Sequence, residues 1–188
     1  MGSRTATNEK AAAWVASAGK NASQGTFADA AAFGELVFNC TSGAGTLPAL
    51  EQAGQASLAG KILIDISNPL DFSKGMPPTL TICNTDSLGE RIQAVLPQTK
   101  VVKALNTVNC TVMVEPGLVR GEHDVFVCGN DAEARGRVAG MLKEWFGWPS
   151  VIDLGDIKAA RGTEMLLPLW LQLYSRFQSP HFNFRVVR

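Results

Sequence analysis

The stretch Lys61-Ile-Leu-Ile-Asp-Ile-Ser-Asn-Pro-Leu70 sets a nearly unbroken apolar run against an abrupt polar turn. A strand with one wet face alternates apolar with polar residues. A run that is apolar almost throughout suits a strand covered on both faces, as in a parallel sheet. Four further runs share this character: Leu36-Val-Phe-Asn-Cys40, Lys100-Val-Val-Lys-Ala-Leu105, Asp124-Val-Phe-Val-Cys128 and Ser150-Val-Ile-Asp-Leu154. Helical patterns lie between them. Thr26-Phe-Ala-Asp29 and Ser87-Leu-Gly-Glu90 have capping-box spacing, and the second leads into Ile92, Val95 and Leu96 on one helical face. Asp131 is placed to cap a helix that carries Val138, Leu142 and Trp145 and stops near Gly147. Strands alternating with helices predict an α/β fold: a mostly parallel sheet with right-handed crossovers and helices on both faces.

Two segments leave this rhythm. Asn68-Pro-Leu-Asp-Phe-Ser-Lys-Gly-Met-Pro-Pro78 is a long loop directly after a strand, the setting of a functional loop or lid. From about Lys158 to Phe177 the pattern is one long helix, apolar almost all round over Met165–Leu173, with Pro168 as a kink. Such a helix must be buried on several sides, in a core or a subunit interface. The tail His181-Phe-Asn-Phe-Arg-Val-Val-Arg188 alternates like a short strand.

A chain of 188 residues with 46% apolar and 18% charged residues suits one globular domain spanning 1–188. Lys plus Arg equals Asp plus Glu at 17 each, so no net field draws the chain to nucleic acid or to a membrane surface. No window of about 18 apolar residues is present, and no apolar secretory segment opens the chain. Cys40, Cys83, Cys110 and Cys128 are widely spaced, and only His123 and His181 could join them, so no metal-ligand spacing arises. Most of the cysteines sit in or beside apolar runs, which suits reduced, structural thiols in a cytoplasmic protein.

Ligands of open parallel sheets gather at the carboxyl ends of the strands. The residues there are Thr41-Ser-Gly-Ala-Gly-Thr46, Asn68-Pro69 and Asn106-Thr-Val-Asn109, with Gly129-Asn-Asp131 after a fourth strand. The first three endings offer hydroxyls and amides, which bond phosphates, ribose and carboxamides and also make ordinary turns. Gly43-Ala-Gly45 begins like G-x-G-x-x-G, but Pro48 fills the sixth position, so it reads as a loop beside a ligand. In dinucleotide-binding folds an Arg after the second strand accommodates the 2′-phosphate of NADP. Gly2-Ser-Arg4, with Lys10 one or two turns on, suits a phosphate better than a diol. No Ser–His–Asp or Cys–His arrangement is evident, and no catalytic residue can be named. Hydride transfer between two ring cofactors depends mainly on positioning and fits that absence.

Taken in order, GSRT…EKA, LVFNCT, GKILIDISNPL, KVVKALNT, VFVCGNDAEA, VIDLGDI and LLPLWLQL resemble the NADPH-dependent coenzyme F420 reductase family. That group of NADP oxidoreductases is related to the N-terminal domains of pyrroline-5-carboxylate reductases. The resemblance runs from Gly2 to Val187 and implies a Rossmann-like NADP domain that exchanges hydride with a deazaflavin or flavin acceptor. It places Ser3, Arg4 and Lys10 on the 2′-phosphate. Cys40, Thr41 and Ser42 would line the crevice, and Asn68, Pro69, Ala104, Asn106 and Thr107 would lie near the nicotinamide. The apolar C-terminal helix would close the acceptor pocket or join a homodimer.

Members of the family begin with a strand, a glycine-rich loop and a helix, whereas this sequence starts at the tip of what would be their second strand. The resemblance therefore implies an N-terminally truncated domain. Residues 1–109 form the truncated dinucleotide-binding part, and 110–188 carry the later strands and the apolar helix. The edge of the Leu36–Cys40 strand is expected to be uncovered, with no sheet for the residues before Phe33 to join. NADP binding is expected to be weak, and hydride transfer impaired, without the backbone N–H groups of that loop. Three origins stay open: an internal methionine of a longer chain, a truncated gene, or a short form. Two other functional readings also remain, a non-catalytic remnant acting through oligomerisation and a reductase of another acceptor such as an imine or a metal chelate.

Overall fold

In a computed structural model describing residues 1–188, the chain opens with β1 (Gly2–Ser3), α1 (Glu9–Ala18), β2 (Gly25–Thr26) and α2 (Phe27–Phe33). Next come β3 (Leu36–Asn39), α3 (Gly43–Ala53), α4 (Gln55–Leu58) and β4 (Ile62–Asp65). A short hairpin, β5 (Leu70–Asp71) and β6 (Thr79–Leu80), precedes α5 (Leu88–Val95) and β7 (Lys100–Ala104). The chain continues through α6 (Cys110–Val114), β8 (Val125–Cys128), α7 (Ala132–Phe146), β9 (Val151–Asp153), α8 (Ala160–Met165) and α9 (Leu167–Phe177).

The expected runs form one five-stranded sheet in the order β3-β4-β7-β8-β9. All neighbours pair in parallel except β7 with β8, which are antiparallel. That reversal carries Gly129–Asp131 to the opposite end of the sheet from the other strand endings, so they take no part in the crevice. Both faces are covered. Ile62, Ile64, Val102 and Ala104 pack with Val138, Leu142 and Trp148 on one side. Leu63 and Val101 pack with Leu50, Leu88, Ile92 and Ala160 on the other. This alternation within continuous apolar runs is what burial on two faces requires.

Two of the three expected caps form in full. Thr26 and Asp29 form a reciprocal capping box, and Asp131 accepts from the Ala134 N–H while Gly147 closes α7 in the left-handed conformation. Ser87 caps α5 through the Glu90 N–H, but the Glu90 carboxylate accepts from the Ser87 hydroxyl and reaches Arg161 instead of returning to the backbone.

Several expectations need correction. Trp145 is 65% exposed, and Trp148 takes its place in the core, its indole N–H donating to the Met113 carbonyl at 3.0 Å. Val95 likewise faces out while Ile92 and Leu96 are buried. The Asn68–Pro78 loop contains the β5–β6 hairpin. The long C-terminal helix is two segments with a break at Leu166, where Pro168 sits in the first turn of α9 and lacks the N–H a continuous helix needs. Only Leu167 of α9 is buried, leaving Leu169, Tyr174 and Phe177 exposed. The tail after α9 is no strand, although its backbone reaches the core sheet: the Asp124 N–H donates to the Phe184 carbonyl, and Val186 N–H to Asp124 Oδ2. Cys128 alone of the cysteines is buried, so the others are not core hydrophobes. The residues before Phe33 do have a sheet, since β1 and β2 pair in parallel with each other. β3 remains an edge strand, as expected.

Candidate functional site

Three strand endings converge at the carboxyl edge of the parallel part of the sheet: Cys40–Ser42 after β3, Ser67–Pro69 after β4, and Asn106–Thr107 after β7. Gly43 joins the first to the second. A Cβ built on it would fall 2.0 Å from the Asn68 carbonyl oxygen, so only a residue without a side chain lets α3 begin against this loop. Gly43–Gly45 is thus the first turn of a helix rather than a loop. Ser42 stands at the N-cap, but its side chain makes no capping bond, which leaves first-turn N–H groups for a ligand.

A reciprocal amide pair joins the second ending to the third. Asn68 Nδ2 donates to the Asn106 carbonyl at 2.8 Å, and Asn106 Nδ2 donates to Asn68 Oδ1 at 2.9 Å. The intervening Leu105 is buried with φ of 61°, a left-handed conformation that costs a bulky residue about 1–2 kcal/mol. Beside the pair, the Thr107 hydroxyl is buried and has no hydrogen-bond partner. An orphaned buried hydroxyl at a strand end is what a ligand amide or hydroxyl would satisfy. Ala104 is fully buried in the core, so only its backbone can face a ligand, and Pro69 is buried too. Cys40 is exposed at the rim.

Charge lies beneath this crescent. Strand alternation puts Asp65 in the row of Leu63 and Lys103 in the row of Val101, both facing α8. Lys103 Nζ donates to Asp65 Oδ2 at 2.7 Å, to Glu164 Oε1 at 2.8 Å and to the Ser67 carbonyl at 2.5 Å. The side chains of all three charged residues are no more than 1% exposed. Burial alone would lower the Lys103 pKa, but attraction and hydrogen bonds from Asp65 and Glu164 override it and hold the ammonium above its ordinary range. The remaining carboxylate capacity is also used. Asp65 Oδ1 accepts from Asn39 Nδ2 and from the Ser67 hydroxyl, each at 2.7 Å. Glu164 accepts the Leu88 and Gly89 N–H groups at 2.8 and 3.0 Å, at the start of α5. Thr41 extends the network by donating to Asn39 Oδ1 at 2.7 Å. The network therefore braces the loops after β3 and β4 from below.

The other predicted residues, Ser3, Arg4 and Lys10, stand apart on β1 and α1. The Ser3 hydroxyl donates to the Thr5 carbonyl at 2.5 Å. Arg4 and Lys10 are exposed and enter none of the ion pairs, so both cations are free for an anion. Neither histidine reaches the crevice. His123 is buried between the Pro116 carbonyl and Asn183, and His181 is exposed in the tail. No cluster of metal-ligating side chains is present.

Sequence reasoning missed Asp65, Lys103, Glu164 and Asn39. A signal existed for Asp65 and Lys103, since a charge inside a run buried on both faces must find a partner. Glu164 carried none.

Comparison with known proteins places these features in context. Residues 2–69 match the family described as NADP oxidoreductase, coenzyme F420-dependent. The chain is 32% identical to the F420-dependent NADP reductase of Methanocaldococcus jannaschii over 159 residues, covering 84% of this chain and 70% of that protein. A crystal structure from Arthrobacter sp. FB24, provisionally assigned as an F420-dependent NADP reductase, superposes with a TM-score of 0.86 at 56% identity over 88% of this chain and 76% of that one. A reductive aminase from Aspergillus terreus, solved with NADPH, shares the fold at 21% identity with a TM-score of 0.61, covering 91% of this chain and 52% of its own.

Proposed function

This chain belongs to the coenzyme F420-dependent NADP oxidoreductase family, and from that membership we propose that it exchanges a hydride between NADP(H) and a deazaflavin of the F420 kind. The observation that carries the reading is the Asn68–Asn106 amide pair beside the unpartnered Thr107 hydroxyl. When bound, NADP(H) supplies or accepts the hydride at its nicotinamide ring. The chain's own part is positioning. Thr107 Oγ1 offers a buried hydrogen bond to the carboxamide, while the amide pair fixes the two loops that flank the ring. Thr41, Ser42 and the open first turn of α3 line the crevice, with Cys40 at its rim. Ser3, Arg4 and Lys10 hold the 2′-phosphate through charge-assisted bonds. No histidine or carboxylate is required at the reacting atoms, in keeping with a transfer between rings.

No helix is long and apolar enough to cross a membrane, and a reductase drawing on NADPH and a diffusible acceptor suits the cytoplasm. The exposed apolar face of α9 favours a homodimer, a reading that rests on Leu169, Tyr174 and Phe177.

Calorimetry of Arg4→Ala with NADPH and NADH tests the assignment. Losing charge-assisted bonds to the 2′-phosphate should weaken NADPH by about 10- to 100-fold and leave NADH nearly unchanged. Equal losses for the two nucleotides would reject the grip. Failure of NADPH to reduce the deazaflavin in the presence of this protein would reject the reaction.

A further inference from the structure

A buried charge of one sign lies under the crevice. Asp65 and Glu164 meet a single cation, Lys103, and none of the three side chains is more than 1% exposed. Hydrogen bonds fix the charge state of both acids. Asp65 Oδ1 accepts from the Ser67 N–H and hydroxyl and from Asn39 Nδ2, while Oδ2 accepts from Lys103. Glu164 Oε1 accepts from Lys103 and the Gly89 N–H, and Oε2 from the Leu88 N–H. All four oxygens face donors, so neither acid has an acceptor for a proton of its own. One ammonium against two carboxylates leaves a net charge of −1. Charged neighbours do not cancel it, since Glu90 is paired with Arg161 and Asp86 with Arg91. The N-terminus of α5, which supplies the Leu88 and Gly89 N–H groups, offsets only about half a unit.

Ser67 couples this charge to the crevice. Lys103 bonds its carbonyl, Asp65 bonds its N–H and hydroxyl, and the next residue is Asn68 of the amide pair. The unpartnered Thr107 hydroxyl, on a residue 2% exposed, marks a ligand position beside that pair. The two forms of the nucleotide differ in charge only at the ring: the oxidised nicotinamide is a cation and the reduced one is neutral. We propose that the Asp65–Lys103–Glu164 triad discriminates between oxidation states of the nicotinamide, its net negative charge favouring NADP+ over NADPH. The inference rests on the NADP reading and deepens it. A charge fixed in a dry shell is little screened by salt, whereas contacts to the 2′-phosphate are common to both forms. Favouring the cationic ring makes bound NADPH the stronger hydride donor. A unit charge about 12 Å from a cation, at an effective dielectric of about 20, changes affinity roughly tenfold.

Calorimetry with NADP+ and NADPH on Glu164→Gln and Asp65→Asn tests it. Each substitution removes one negative charge, from opposite ends of the triad. In each, the ratio of the NADPH Kd to the NADP+ Kd should fall about tenfold relative to the parent, and by no less than about threefold. Lost packing alone would weaken both forms alike and leave the ratio fixed. If one variant does not fold, the other carries the measurement. Lys103→Met removes the cation instead, so its ratio should not fall. An unchanged ratio in a folded carboxylate variant, or an equal fall in Lys103→Met, would overturn the proposal and leave the NADP reading standing. Failure of the parent to bind either form at millimolar concentration would reject that reading, and the proposal with it.

Discussion

Replacing Lys103 with methionine should be the most destabilising single change beneath the crevice. Methionine fills a similar volume but removes the only cation between Asp65 and Glu164, whose side chains are 0% and 1% exposed. Breaking a buried pair by deleting one partner costs about 3–5 kcal/mol. For a domain of this size that lowers Tm by about 6–20 °C.

The pH dependence separates this account from a simple packing defect. In the variant, the folded state binds a proton that the unfolded state releases at pH 7, so acidification favours folding. The deficit should shrink by about 1.4 kcal/mol per pH unit between pH 7 and 5. The parent protein responds at the other extreme. Its Lys103 pKa is raised in the fold, so this contribution is fully present below the ordinary value of 10.5 and is lost as pH rises through the higher folded value. Urea denaturation of both proteins at pH 5, 6 and 7 measures the effect. A deficit below about 1 kcal/mol at pH 7, or one that does not change with pH, would refute the reasoning.

Three further outcomes are expected. Gly43→Ala must displace the Asn68 carbonyl, because the added methyl would lie 2.0 Å from it. A loss of about 1–3 kcal/mol in denaturant unfolding, together with weaker NADPH binding, should follow; an unchanged Kd would show that the loop does not touch the nucleotide. Burial pushes the Cys128 thiol up to about 12, whereas Cys83 and Cys110 are exposed. Alkylation at pH 8 followed by mass spectrometry should find Cys128 at least about 100-fold slower than Cys83, since the thiolate is the reacting form; comparable rates would contradict its burial. Leu169→Glu places a charge on the exposed face of α9, so sedimentation is expected to find a dimer for the parent and a monomer for the variant, and a dimer unchanged by this substitution would exclude that face.

The sheet was readable because its signal is local. Ile62–Asp65 and Lys100–Ala104 are short runs rich in β-branched residues and buried on both faces, which suits strands of a parallel sheet. Caps at Thr26 and Asp131 were readable for the same reason, each being a contact made within three residues. What failed depended on distant neighbours. Trp145 and Trp148 are equally apolar, and the helix ends between them. Only the chain reversal at Gly147 decides that Trp148 turns inward against Met113. The antiparallel β8 was invisible because a buried strand has the same composition in either direction. Apolarity in α9 was seen, but an apolar helix surface does not say whether the chain itself covers it.

The site divides along the same line. Amides and hydroxyls at the ends of β3, β4 and β7 could be collected from sequence because the fold class alone puts those ends together. Their rigidity could not. Glu164 is distant in sequence from the Leu88 and Gly89 N–H groups it accepts and from Lys103, yet it closes the network that holds Ser67 and Asn39 in place. Arg4 and Lys10 present the opposite case. The sequence marked them for a phosphate, but Arg4 directly follows β1 of the small sheet and Lys10 lies on α1, while the crescent of strand endings belongs to the large sheet. If both sets serve one site, the span between them is set by α2, which packs on β1 through Ala30 and on the core of the large sheet through Ala31.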